Sequence, residues 1–184
     1  MQAADVIHFA LHANASTESL DAPHLVLFPD EDSLPDRYLF DYEIESLDLN
    51  SKLVVLNTCE SGEGRLYDGE GLFSISRGFV LGGADAVLHT QWPIDDRIGK
   101  NMILSFYKAL ERGESKSKAL RKAQRAYLES AYPHFRHPYY WAAYQVLGDD
   151  SPLFVPWPVY GSVGGGLLAM VGLWMVLRRR KTAG

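Results

Sequence analysis

Apolar positions in this chain fall first into short β-branched or aromatic runs and later into longer stretches at helical spacing, with polar, turn-forming residues between. Four runs read as strands, at residues 6–11, 53–57, 86–90 and 142–147. Their shortness and loop-forming flanks are marks of buried strands in a mostly parallel sheet. Weaker runs at 24–28 and 37–39 predict a hairpin-like insertion after the first strand. Helical spacing fills the intervals. Residues 41–49 carry Tyr42, Ile44, Leu47 and Leu49, and residues 71–81 carry Leu72, Phe73, Ile75, Phe79 and Val80. Residues 97–111 place Ile98, Met102, Ile103, Phe106 and Leu110 on one face. Gly113 then punctuates, and Ser115 or Ser117 opens a further helix to about Ser130. Residues 13–26 include Asn14, Ser16, Thr17, Ser19 and Asp21, a polar loop that is either a substrate gate or plain surface.

A histidine and the chain's single cysteine each close one of the strand runs. His12 ends the first run, and Cys59 follows the second within Asn57-Thr58-Cys59-Glu60-Ser61-Gly62. In an open α/β sheet, sites form beyond the carboxyl ends of the strands. If these two strands are neighbours, imidazole and thiol meet there as the minimum apparatus of a thiol nucleophile. The plainer reading is a small buried cysteine and an incidental strand-end histidine. His8, two alternations before His12 on the same strand face, reads as structural.

Taken together these segments resemble the CHAT domain, a branch of the separase-like and caspase-like cysteine peptidases. The resemblance rests on residues 7–12, on 53–64 around Thr58-Cys59-Glu60-Ser61-Gly62, on Gly82-Gly83-Ala84-Asp85-Ala86-Val87 leading to Gln91-Trp92-Pro93-Ile94-Asp95-Asp96, and on His137 to Asp149. These motifs occur in the family's order over about residues 5–149. The resemblance implies a caspase-like three-layer α/β fold, with a mostly parallel sheet flanked by helices. It makes His12 the general base and Cys59 the nucleophile of a peptidase, with the backbone N–H groups of Ala13 and Cys59 as oxyanion donors. Many members carry glycine where this chain has Ala13; alanine keeps the N–H. It also implies a pocket for the residue before the scissile bond near Trp92, Asp95 and Asp96, because in related separases an acidic residue after that tryptophan recognises a basic side chain. The alternative for Asp95 or Asp96 is a plain cap on the helix that follows.

Composition narrows the remaining classes. A content of 47% hydrophobic and 22% charged residues suits a globular domain. The net charge of −5 argues against a nucleic-acid partner. Arg121, Lys122 and Arg125 share a helix face and read as solvated surface. One cysteine excludes an intramolecular disulfide and leaves the redox compartment open. The six histidines and the cysteine form no close ligand cluster, so no metal is expected, and no cofactor; the expected partner is a protein or peptide substrate.

The C-terminal part differs in kind. Residues 157–177 carry no charge and end in Arg178-Arg179-Arg180-Lys181. At ~1.5 Å per residue such a helix is roughly 32 Å long, matching a hydrocarbon core of ~30 Å. Trp157, Tyr160 and Trp174 suit its interfaces, and Gly161 and Gly165 give a weak GxxxG spacing. The expected organisation is a peptidase-like domain at 1–150, a linker at 151–156, a single membrane span at 157–177 and a basic tail at 178–184. A cytoplasmic tail then places the domain outside the cytoplasm, in a bacterial setting. Met1-Gln2-Ala3-Ala4-Asp5 does not resemble a signal peptide. Either the chain is tail-anchored against the charge rule, or its true N-terminus is missing; the latter is favoured, because a sheet whose first strand already carries the catalytic histidine lacks flanking strands. Regulatory repeats on that missing region are then possible partners. The reading is a membrane-anchored cysteine endopeptidase; its alternative is an inactive signalling or scaffold module at the membrane.

Overall fold

Leu53, Val54, Val55 and Leu56 have no polar face, and the structure, a computed structural model, buries all four at the middle of a sheet. It describes residues 4–14, 23–27, 38–57, 70–92 and 94–154, the side chains of 12–14, 70–74 and 96 excepted. The chain divides into two units, Met1–Leu153 and Phe154–Gly184; only Phe154 of the second is described. Among the described residues no helix is long and apolar enough to cross a membrane. The candidate span at 157–177 lies outside them.

The main sheet has the order β1 (Val6–Phe9), β5 (Leu53–Leu56), β6 (Ala86–Thr90), β7 (Tyr144–Gly148). The first three strands are parallel and β7 is antiparallel to β6. Alternation sends neighbouring residues to opposite faces. Leu53, Val55, Ala86 and Leu88 pack with α3 (Asp96–Glu111) and α4 (Lys116–Ser130). Val54, Leu56 and Val87 pack with α1 (Asp41–Glu45) and α2 (Glu70–Leu81). A mostly parallel sheet flanked by helices is therefore present. A second sheet holds β2 (His12–Asn14), β3 (His24–Val26) and β4 (Tyr38–Phe40), all antiparallel. It contains the anticipated hairpin.

The structure corrects several boundaries. The run 6–11 is not one strand: β1 stops at Phe9, Leu11 packs on the α1–α2 side, and His12 opens β2 in the other sheet. His8 and His12 therefore do not alternate along one strand. The stretch 13–26 is not a continuous loop either, since its two ends are β2 and β3; residues 15–22 lie outside the described ones. The helix expected over 41–49 ends at Glu45, where the Ser46 N–H and hydroxyl both donate to the Glu43 carbonyl. Leu49 then donates its N–H to the Gly82 carbonyl, a bond that a continued helix could not make. The last strand begins at Tyr144 rather than 142.

Capping explains where the long helices start. The Asp95 carboxylate accepts from the Arg97 and Ile98 N–H groups at the head of α3. Ser115, not Ser117, caps α4. Asp150 adds a second acceptor there, taking the Ser117 N–H at 2.6 Å and the Ser115 hydroxyl at 3.0 Å. Lys116 is 1% exposed, which for a lysine demands partners. Its ammonium donates to Asp149 at 3.1 Å and to the Ser151 carbonyl at 2.9 Å. Hydrogen bonds from Ser151 and Lys116 hold the Asp149 carboxyl below the usual carboxylate range. Arg121, Lys122 and Arg125 are exposed, as expected.

The turn from α2 into β6 has one strict requirement. Gly83 has φ near +100°, and a Cβ there would collide with the Leu49 carbonyl oxygen. Gly83→Ala should cost about 1–3 kcal/mol for its backbone conformation alone, before the collision is counted. Urea unfolding of the variant beside the parent checks this; an unchanged midpoint would refute it.

Candidate functional site

The site is built from the exits of two adjacent parallel strands. β1 and β5 pair in register from Val6↔Leu53 to Phe9↔Leu56. The Asn57 N–H donates to the Phe9 carbonyl at 2.9 Å and extends that alignment by one bond. His12 and Cys59 each follow the last paired position by three residues. The condition on which the sequence argument hung, that these strands be neighbours, is met. The backbone of His12 and Ala13 belongs to β2. Their side chains, and Cys59 altogether, lie outside the described residues.

Asp95 has a visible structural task as the cap of α3. It also fronts a recess of about 780 Å³ between α3, α4 and the segment 131–140, lined among others by Asn101, Tyr127, Phe135 and Tyr140. The Tyr127 hydroxyl donates to the Phe135 carbonyl at 2.9 Å. Burial, with Tyr140 and Asp95 nearby, raises its pKa. Trp92 does not line the recess. Its indole N–H donates to the Tyr139 carbonyl at 2.8 Å and its ring stacks on Tyr139. Asp96 is the first residue of α3, and its side chain lies outside the described residues. Trp92 and Asp95 are thus brought to the same end of the α3–α4 pair, in different settings.

Three other histidines have identifiable surroundings. His8 Nδ1 lies 3.3 Å from the Tyr107 hydroxyl, which agrees with a structural part. Burial lowers the His8 pKa and pushes the Tyr107 phenol up to about 12. His24 is buried against Tyr38 and Phe40. His89 is 3% exposed in β6, and its Nδ1 has no hydrogen-bond partner among the described residues. Burial lowers its pKa. No group of three or more metal-ligating side chains occurs among the described residues.

Sequence reasoning missed one arrangement. Asn57 Oδ1 accepts from the Tyr144 hydroxyl at 3.3 Å, across 87 residues of sequence. The one available signal was a polar residue at the end of an apolar strand, directly before Thr58 and Cys59.

Two outcomes follow from these settings. Asp95→Ala should lose about 1 kcal/mol of stability while Asp95→Asn, an equally good cap, loses little; equal losses in thermal unfolding would show that charge, not capping, is what α3 needs. For His89, the folded pKa lies below the unfolded value near 6.5. The unfolded chain therefore binds more protons in that window, and stability present above pH 6.5 is lost as pH falls through the folded pKa. Replacing His89 by Gln should flatten the stability profile below pH 6.5, and an unchanged slope in urea titrations would refute that.

Comparison with known proteins supplies the family. The model of the CHAT domain matches residues 1–149. Tetratricopeptide repeat protein 28 of Mus musculus is 32% identical over 119 residues, 65% of this chain and 5% of that protein. The Homo sapiens protein of the same name is 31% identical over 119 residues, with the same shares. The chain thus spans only 5% of the length of these curated relatives. With the family model covering most of its length, the chain belongs to the CHAT domain family.

Proposed function

We propose that this chain is a membrane-anchored CHAT-family cysteine endopeptidase with a caspase-like three-layer fold and a His12–Cys59 dyad. The observation that carries the reading is the in-register pairing of β1 with β5, from which the two residues depart at equal offsets. In the proposed reaction His12 takes the proton from the Cys59 thiol, and the thiolate attacks the peptide carbonyl. The N–H groups of Ala13 and Cys59 stabilise the oxyanion. The amine leaves with the proton held by His12, and water, giving its proton to the same imidazole, hydrolyses the thioester. This chemistry draws on protein groups alone. Trp92, Asp95 and Asp96 frame the pocket for a basic residue before the scissile bond; the family resemblance supports that assignment, whereas the recess that Asp95 lines does not include Trp92 and carries Arg97 and Lys108.

Residues 157–177 are proposed to span the membrane, with 178–184 in the cytoplasm and the domain outside it. A second reading, a non-catalytic module at the membrane, is favoured by the name of the curated relatives, which describes repeats and no hydrolysis.

The test is covalent labelling of the full chain by a biotinylated peptide acyloxymethyl ketone with arginine at its reactive end. The parent should be labelled and Cys59→Ser should not. His12→Ala should react about 100-fold more slowly. An unlabelled parent, or labelling indifferent to His12, would sink the peptidase reading and favour the module.

A further inference from the structure

Asn57 bonds two other strands of the main sheet. Its N–H bonds the Phe9 carbonyl at the end of β1. Its Oδ1 accepts the Tyr144 hydroxyl at 3.3 Å. Tyr144 stands on β7, two strands away in the sheet order, and its register partner on the intervening β6 is Thr90. The phenol therefore reaches across one strand, and it is only 3% exposed. Gly99, in the first turn of α3, leaves room for this meeting: a Cβ there would lie 3.2 Å from the Tyr144 hydroxyl and 3.5 Å from Asn57 Oδ1. The backbone and side chain of one residue thus tie together β1, β5 and β7 near the head of α3. Cys59 follows two residues later.

We infer that Asn57 is a positioning residue for the Cys59 thiol, held by the Tyr144 hydroxyl and given its space by Gly99; this rests on the reading of Cys59 as the nucleophile. The physical reason is direction. Apolar strand ends are held by packing, which tolerates small rotations, whereas a part-buried hydrogen bond to the side chain at the strand end adds a directional constraint on Asn57. Cys59 follows Asn57 by two residues in sequence, and the proposed dyad depends on the thiol meeting the imidazole within hydrogen-bond reach. Glycine inside a helix is otherwise a cost relative to alanine. At position 99 a Cβ would press the Tyr144 hydroxyl by a few tenths of an ångström and meet Asn57 Oδ1 in ordinary contact.

Cys59 is the only cysteine in the chain, so alkylation by iodoacetamide reports on it alone, without any peptide substrate. The rate should be followed from pH 5 to pH 10 for the parent, Tyr144→Phe, Asn57→Ala, the double variant, Gly99→Ala and His12→Ala, with a thermal melt of each. Tyr144→Phe removes one oxygen. It should keep a cooperative melt, slow alkylation at pH 7 about fivefold, and move the midpoint upward toward the ~8.5 of a free thiol. Asn57→Ala should do the same, and the double variant should add little, as expected for two residues acting through one bond. Gly99→Ala is the decisive control, since alanine favours the helix: its melt should not fall, yet alkylation should slow. Parent-like profiles in Tyr144→Phe and Gly99→Ala, beside a clear effect of His12→Ala, would overturn the inference and leave the dyad standing. A parent-like profile in His12→Ala would instead overturn the dyad reading beneath it.

Discussion

The pairing of β1 with β5 is the constraint on which the rest of the molecule hangs. β5 is buried on both faces, so its backbone groups must be paired by strands on either side. β6 satisfies one side and β1 the other. Parallel strands cannot be joined by a tight turn, so each connection has to cross a face of the sheet. α2 makes such a crossing between β5 and β6, and α1 precedes β5 on the same side. α3 and α4 then occupy the other face between β6 and β7. The helices and the location of the strand exits are thus consequences of burying one four-residue apolar run.

The helical layers were legible wherever the apolar spacing was sustained. Met102, Ile103, Phe106 and Leu110 recur at helical intervals and are all buried against the sheet. The short helix after β4 was legible in kind but not in length. Leu47 and Leu49 continue its spacing, yet Leu49 is drawn to the Gly82 carbonyl, a partner set by the distant α2–β6 turn. The break between β1 and β2 was not legible for a related reason. Residues 6–14 could run as one extended segment, but β1 ends at Phe9, whose carbonyl takes the Asn57 N–H, and β3 offers a different partner to His12–Asn14.

Of the candidate site, residue types and order in the sequence suggested the proposed dyad, and the structure adds that the two strands preceding those residues are neighbours. The alternation argument that set His8 beside His12 failed because it presumed one strand. Asp95 was readable both as a cap and as a pocket residue, and the structure gives the first in direct hydrogen bonds while setting it at the mouth of a recess. Asn57, Gly99 and Tyr144 were out of reach. Nothing local distinguishes a glycine in a first helical turn or a tyrosine in a last strand until the topology brings them together.

The reversal of β7 also determines how the domain can be wired into a chain. Asp5 lies beside Lys52 at the start of β1, Ser51 bonds Asp85, and Asp149 bonds Asp85 in turn. The backbone thus enters and leaves the unit along one line of neighbouring residues, at the sheet end opposite the strand exits. Such an arrangement is a cassette: the first strand starts and the last strand ends at the same end of the sheet. The end that carries the strand exits is then clear of both connections, and in the curated relatives the matching segment is only 5% of the length.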